Sequence, residues 1–167
     1  MNSDIICMRP NLRNIEAWDA KHPQIANLVK RYCTWCDDPD AKISSQQEYE
    51  NDILSCFAEW NHDGFHLAQH LNSRVYIDPD AELVEILDSV GYIALSVGRQ
   101  IISKWVLDNN LKLPDNLIGK SCFVTTSKVM HYITSVYPET YEVTINTNKD
   151  GKGGYKHGFE RIYLVEE

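Results

Sequence analysis

DPDAELVEILDSVGYIALSVGRQIISKWVLDNN, residues 78–110, carries the strongest helical signal in the chain. Leu83, Leu87, Val90, Ala94, Val97, Ile101 and Trp105 recur at steps of three and four, and Ile86, Ile93, Ile102 and Val106 widen the stripe. Asp78 reads as the cap, Pro79 falls in the first turn, and Asp80 and Glu82 lie near the positive end of the helix dipole. DNN closes the run. Roughly 30 residues at 1.5 Å each span about 45 Å. A helix so long and apolar is expected to be the central element on which others pack. Gly91 and Gly98 are expected to kink it or to let a neighbour approach closely.

Four shorter helical stretches are expected before it. Pro10–Ala20 is the first, and Pro23 opens the second, where a missing N–H costs nothing. Ile25, Leu28, Val29, Tyr32, Cys33 and Cys36 form its stripe, and DDPD (37–40) stops it. SQQE (45–48) opens the third, with Ser45 as cap and Glu48 as capping-box partner. Its apolar face is Tyr49, Ile53, Cys56, Phe57 and Trp60, and Gly64 reads as a left-handed stop. FHLAQHLN (65–72) is the fourth.

After LKLPDNLIGK (111–120) the hydrophobic period becomes two. SCFVTT (121–126), VMHYITSVY (129–137), TYEVTIN (140–146) and RIYLVEE (161–167) read as strands. YPET (137–140) is a tight turn and NKDGKGG (148–154) a glycine-rich hairpin loop. The expected class is α+β. An acidic helical domain over 1–113 forms a bundle around the long helix. A small β-barrel over 114–167 closes on itself, because an open sheet of this size leaves exposed edges.

The formal net charge is −8, which argues against direct nucleic-acid binding, since phosphates need Lys and Arg. Up to Leu113 there are 10 basic and 17 acidic residues, against 6 and 7 afterwards, so the acidity belongs to the helical part. MNSDIICMRPNLRN lacks an apolar core of secretory length, and VGYIALSVG is too short to span a bilayer. Five cysteines (7, 33, 36, 56 and 122) without an export signal fit reduced thiols in a cytoplasmic protein.

CTWC (33–36) and HDGFHLAQH (62–70) raise the question of metal. Cys33, Cys36, His66 and His70 are the right types for zinc. On helical wheels, however, the cysteines share a stripe with Leu28, Val29 and Tyr32, while His66 and His70 point towards water. No metal or other cofactor is therefore expected, and a small zinc protein stands as an alternative. A redox role for CTWC is disfavoured by its place at a helix C-terminus beside Asp37 and Asp38. Nothing in chain order joins a nucleophile to a His and an acid, so no enzyme is expected. NKDGKGGYKHG (148–158), with Lys152 and Lys156, lacks Walker spacing and opens no helix. His131 and His157 fall in or beside strands and read as solvated or core-satisfied.

IGKSCFVTT…HYITSVYPETYEVTI…FERIYLVEE resembles an SH3-like barrel over the last third of the chain. That resemblance implies a fold that serves peptide binding, nucleic-acid binding or interdomain packing. W-x-x-D-G-F-x-L-A-x-x-L followed by DAELVEILD, within residues 60–88, is similar to small accessory proteins of phages and prophages. It implies a binder or inhibitor of host machinery, of anti-CRISPR or other anti-defence type.

The acidic clusters carry the functional expectation: a non-enzymatic protein-interaction module whose acidic surface (Asp37, Asp38, Asp40, Glu48, Glu50 and Asp52) meets a basic partner such as nucleic-acid-binding host machinery. The competing reading is a nucleic-acid-binding accessory protein that uses Lys120, Lys128, Lys149, Lys152, Lys156 and Arg161 of the barrel.

Overall fold

A computed structural model of the chain describes residues 8–36, 43–75, 77–151 and 153–165, with the backbone alone at 43–45. Among these residues it is an α+β protein with four helices and one five-stranded antiparallel sheet. The helices are α1 (Pro23–Trp35), α2 (Ile43–Ala58), α3 (Gly64–Val75) and α4 (Ala81–Asp108). The strands are β1 (Ser121–Val124), β2 (His131–Tyr137), β3 (Glu142–Asn146), β4 (Tyr155–Gly158) and β5 (Ile162–Leu164). The chain forms two compact units. A helical unit comprises Pro10–Ile101, and a sheet unit comprises Met1–Arg9 with Ile102–Glu167. The helical unit holds 15 acidic and 7 basic side chains and so the whole −8; the sheet unit holds nine of each.

The helical unit is built on the stripes expected from sequence. Ile25, Leu28, Val29 and Tyr32 of α1 meet Ile53, Cys56 and Phe57 of α2, Leu67, Ala68 and Leu71 of α3, and Leu83, Leu87, Val90, Ala94 and Val97 of α4 in one core. Trp18 leans on Phe57 at 5.1 Å between ring centroids and donates its indole N–H to the Leu12 carbonyl. Gly98 makes room there, since a Cβ would lie 2.9 Å from Leu12 Cδ1.

Helix ends differ from the expectation. The Pro10–Ala20 segment makes only a 3-10 turn at Ile15–Ala17, too short to bury a stripe of its own. α2 begins at Ile43, so Ser45 lies within the helix and not at the position before it. Asp80 takes the place expected of Asp78: its Oδ1 accepts the Leu83 N–H at 2.8 Å and the Trp35 indole N–H at 3.0 Å. Gly64 starts α3 instead of ending α2, and Asp63 caps α3 by accepting the His66 N–H. Gly64 is required by a close approach: a Cβ would stand 2.3 Å from the Val84 carbonyl oxygen and 2.8 Å from the Asp88 nitrogen. DNN does end α4, with Asn110 in the left-handed region at φ 50°.

In the sheet unit the strand order is β4-β3-β2-β1-β5. β4 directly follows the NKDGKGG loop (148–154) and was not among the strands named from sequence. The sheet is open, not a closed barrel; its edges β4 and β5 are only four and three residues long, too short to offer a long template for pairing. Alternation places Cys122, Val124, Ile133, Val143 and Ile145 in a core with Leu117. YPET becomes a 3-10 turn at Pro138–Thr140, after which Tyr141 adopts φ 52°. That conformation is costly for an aromatic residue. It is held by packing, as the Tyr141 ring meets Trp105 and Phe159 edge-on.

Candidate interaction surface

Half of the expected acidic set is described, and all of that half lies on α2. Asp37, Asp38 and Asp40 lie outside the described residues. Glu48 is exposed on α2, and Glu50 is half-exposed and accepts from Gln46. Asp52 is only 8% exposed, and its carboxylate accepts the Tyr32 hydroxyl at 3.3 Å. Asp52 is thus a core group, not part of an outward face. Burial pushes its carboxyl above the usual aspartate range, against the opposing pull of the Tyr32 hydrogen bond and the Arg74 charge.

The thiols and imidazoles stay apart: no three His, Cys, Asp or Glu side chains gather as a metal site requires among the described residues. Cys36 packs on the helical core and Cys33 is half-buried. His66 faces water and pairs with Asp63. His70, expected in solvent, is instead half-buried against Ser55 at 3.3 Å. The Ser55–His70 contact is a serine–histidine pair that sequence reasoning missed. Ser55 is 2% exposed, and its hydroxyl already donates to the Asp52 carbonyl at 2.7 Å. A nucleophile needs access and a hydroxyl proton aimed at its base; the Ser55 hydroxyl is buried and gives its proton to the Asp52 carbonyl, so the contact with His70 joins α2 to α3. Burial, then the Arg74 charge, holds the His70 imidazole below its ordinary pKa.

The outward face of α4 is what the structure brings forward. Glu85, Asp88, Tyr92, Leu95 and Arg99 follow at steps of three and four and are all exposed. Tyr92 is 86% exposed and Leu95 62%. Asp88 also accepts the Gly64 N–H at 2.8 Å, which sets the start of α3 beside this face. Phe65, the next residue, is 55% exposed. Sequence reading absorbed Tyr92 and Leu95 into an almost wholly apolar helix, and the signal that could have found them was their absence from its stripe.

The sheet unit spends its charges internally. Glu142 accepts from Arg9, from Lys156 at 2.6 Å and from Thr140 at 2.6 Å, and Arg9 also pairs with Glu160. Burial pushes the Glu142 carboxyl up, but the Lys156 and Thr140 hydrogen bonds and the Arg9 and Lys156 charges outweigh it and hold it below the usual glutamate range. Lys156 further sits 4.2 Å over the Tyr137 ring. Of the other expected cations, Lys120 and Lys149 line one hollow of about 550 Å³. Lys128 and Arg161 are exposed, and Lys152 lies outside the described residues. No helix of the described residues is long and apolar enough to cross a membrane. No protein-family model, curated protein or solved structure matches the chain.

Proposed function

We propose that the chain is a non-enzymatic interaction module whose helical unit docks a basic protein partner through the α4 face centred on Tyr92 and Leu95. The observation that carries this is the exposure of those two side chains, 86% and 62%, on the same face as Glu85 and Asp88. Tyr is enriched among residues that dominate interface energetics, because it supplies rigid contact area with a polar tip. The surrounding charge adds steering. Among the described residues, the ion pairs made by Lys and Arg all belong to the sheet unit, so the carboxylates of the helical unit keep their field for an outside partner. Glu48 and Glu50 of α2, together with Asp37, Asp38 and Asp40, extend the acidic character of that unit.

The finer expectations fit within this reading. The helices form a bundle around α4, and the sheet unit is an SH3-like fold, supported by a last strand that returns beside the first after a 3-10 turn at Phe159–Arg161. The protein acts in the cytoplasm as a phage-type accessory protein that occupies a basic, nucleic-acid-binding component of host defence.

The test is affinity capture from bacterial lysate with the wild-type chain and a Tyr92→Ala/Leu95→Glu double variant. Basic proteins retained at low salt, released by salt and lost with the double variant are the expected result. A captured set indifferent to both salt and the double variant would overturn the proposal.

A further inference from the structure

The sheet carries a second exposed face of different chemistry. Phe123 of β1 stands directly opposite Tyr163 of β5. Residues opposite one another in an antiparallel pair project from the same side. Cys122 and Val124 fill the core, so Phe123 and Tyr163 point outward, 37% and 61% exposed. Ser121, two residues along β1, shares that side and faces Tyr132 of β2. Three rings thus lie across three neighbouring strands.

The three strands of this face carry no Lys, Arg, Asp or Glu; the charges near them lie in the adjoining turns, Lys120, Lys128 and Lys149 with Asp115 and Asp150. From Asn116 to Pro138 the sequence has no Asp or Glu, and neither does Ile162–Val165. Lys120 and Lys149 line the hollow of about 550 Å³ together with Ser121 and Val165, which borders the aromatic rows. The carboxylates of β3 and the turn before β5, Glu142 and Glu160, are engaged by Arg9 and Lys156. Glu166 and Glu167, next in sequence after Val165, lie outside the described residues. The −8 that speaks against nucleic acid for the chain as a whole belongs to Pro10–Ile101, while the sheet unit is neutral overall.

We infer that this face binds single-stranded nucleic acid, with bases stacked on Tyr163, Phe123 and Tyr132 and phosphates met by Lys120 and Lys149. Every base offers a π face to an aromatic platform, so such binding tolerates sequence. Unpaired bases are needed, because the rings of a duplex are already stacked on each other. Phosphates are met by cations beside the platform: β1, β2 and β5 carry no Lys, Arg, Asp or Glu, Lys120 immediately precedes β1, and Lys149 lies in the β3–β4 loop next to Asp150. Two phosphate contacts give a shallow salt dependence, with a slope of about −1.4 in log affinity against log salt.

The experiment is fluorescence anisotropy of the full chain with a labelled oligothymidylate of about 12 nucleotides, its duplex, and a labelled acidic, aromatic peptide. Salt runs from about 50 to about 200 mM. The expected result is binding of the single strand in preference to duplex and peptide, weakened about fivefold or more by Tyr163→Ala and by Lys120→Glu. Lys104→Glu makes the same charge change on the exposed side of α4 and should leave binding within about twofold. Circular dichroism of each variant confirms that the fold is kept. No binding at the lowest salt, preference for duplex or peptide, or equal loss with Lys104→Glu and Lys120→Glu would each overturn the inference.

Discussion

Asp52 in the helical unit and Glu142 in the sheet unit are both shielded from water, yet their surroundings treat them in opposite ways. Glu142 sits among Arg9, Lys156 and Thr140, and its charged form is favoured. Asp52 has the Tyr32 hydroxyl and a distant Arg74, and its charged form is disfavoured. The difference follows from the charge supply. Nine basic side chains match nine acidic ones in the sheet unit, whereas seven serve fifteen in the helical unit. A balanced unit can satisfy its carboxylates internally; a unit in acidic surplus leaves them for solvent or for a partner.

The sharpest way to probe the helical side of this comparison is its tightest contact. Gly64→Ala pushes a methyl into the backbone of α4 at Val84 and Asp88, where no flexible side chain can yield. It should cost about 3 kcal/mol, measured by urea denaturation. Gly91→Ala is the control on the same helix. Its Cβ would meet only the Trp60 carbonyl at 3.3 Å, and it should cost under about 1 kcal/mol. Equal effects would show that the α3–α4 contact is looser than described.

These two glycines also mark where the sequence stopped being legible. The periodicity of α1, α2 and α4 reports burial directly, and most residues of the stripes read from it are buried, though Cys33, Cys36, Tyr49, Trp60, Ile93 and Ile101 are only half-buried. Helix ends are set by single hydrogen bonds, and DPD offers two equivalent aspartates; only the position of Trp35 favours Asp80. Gly64 precedes a helix and follows a turn, so its sequence context suited a stop as well as a contact. β4 is hidden because YKHG has no apolar alternation and pairs with β3 through backbone bonds. Asp52 was read as surface together with Glu48 and Glu50; its burial follows from packing against α1, whose Tyr32 hydroxyl meets the carboxylate, and nothing within α2 alone announces that. The exposed α4 face was legible only by elimination, since Tyr92 and Leu95 stand outside the stripe of a helix that is otherwise apolar almost all round.

On the sheet side, Glu142→Ala should cost about 2 kcal/mol at neutral pH, because Arg9, Lys156 and Thr140 lose a shared acceptor. The pH dependence has a definite sign. A carboxylate with a lowered pKa in the fold contributes stability above its unfolded value, near 4.5, and that contribution fades as pH falls through the lower folded value. Melting temperature of the wild type should therefore drop on acidification below about pH 4.5, and Glu142→Gln should flatten that part of the curve. An unchanged acid limb in Glu142→Gln would mean that the network does not favour the charged form.

The smallest effect, and the one that most directly tests the contrast, belongs to Asp52. A carboxyl whose folded pKa is raised binds its proton more tightly in the native state. Its stabilising contribution is present below the unfolded value of 3.8 and is lost as pH rises through the folded value. At neutral pH the charged Asp52 is then a burden on the helical unit, and Asp52→Asn keeps an oxygen for the Tyr32 hydroxyl while removing the charge. The substitution should be neutral or stabilising by up to about 1 kcal/mol at pH 7. That advantage should disappear near pH 3, where aspartate itself is protonated. Melting curves of both chains at the two pH values decide it. Destabilisation at neutral pH would place Asp52 with Glu142 as a carboxylate its unit has learned to hold, and the acidic surplus of the helical unit would no longer explain how its buried charge behaves.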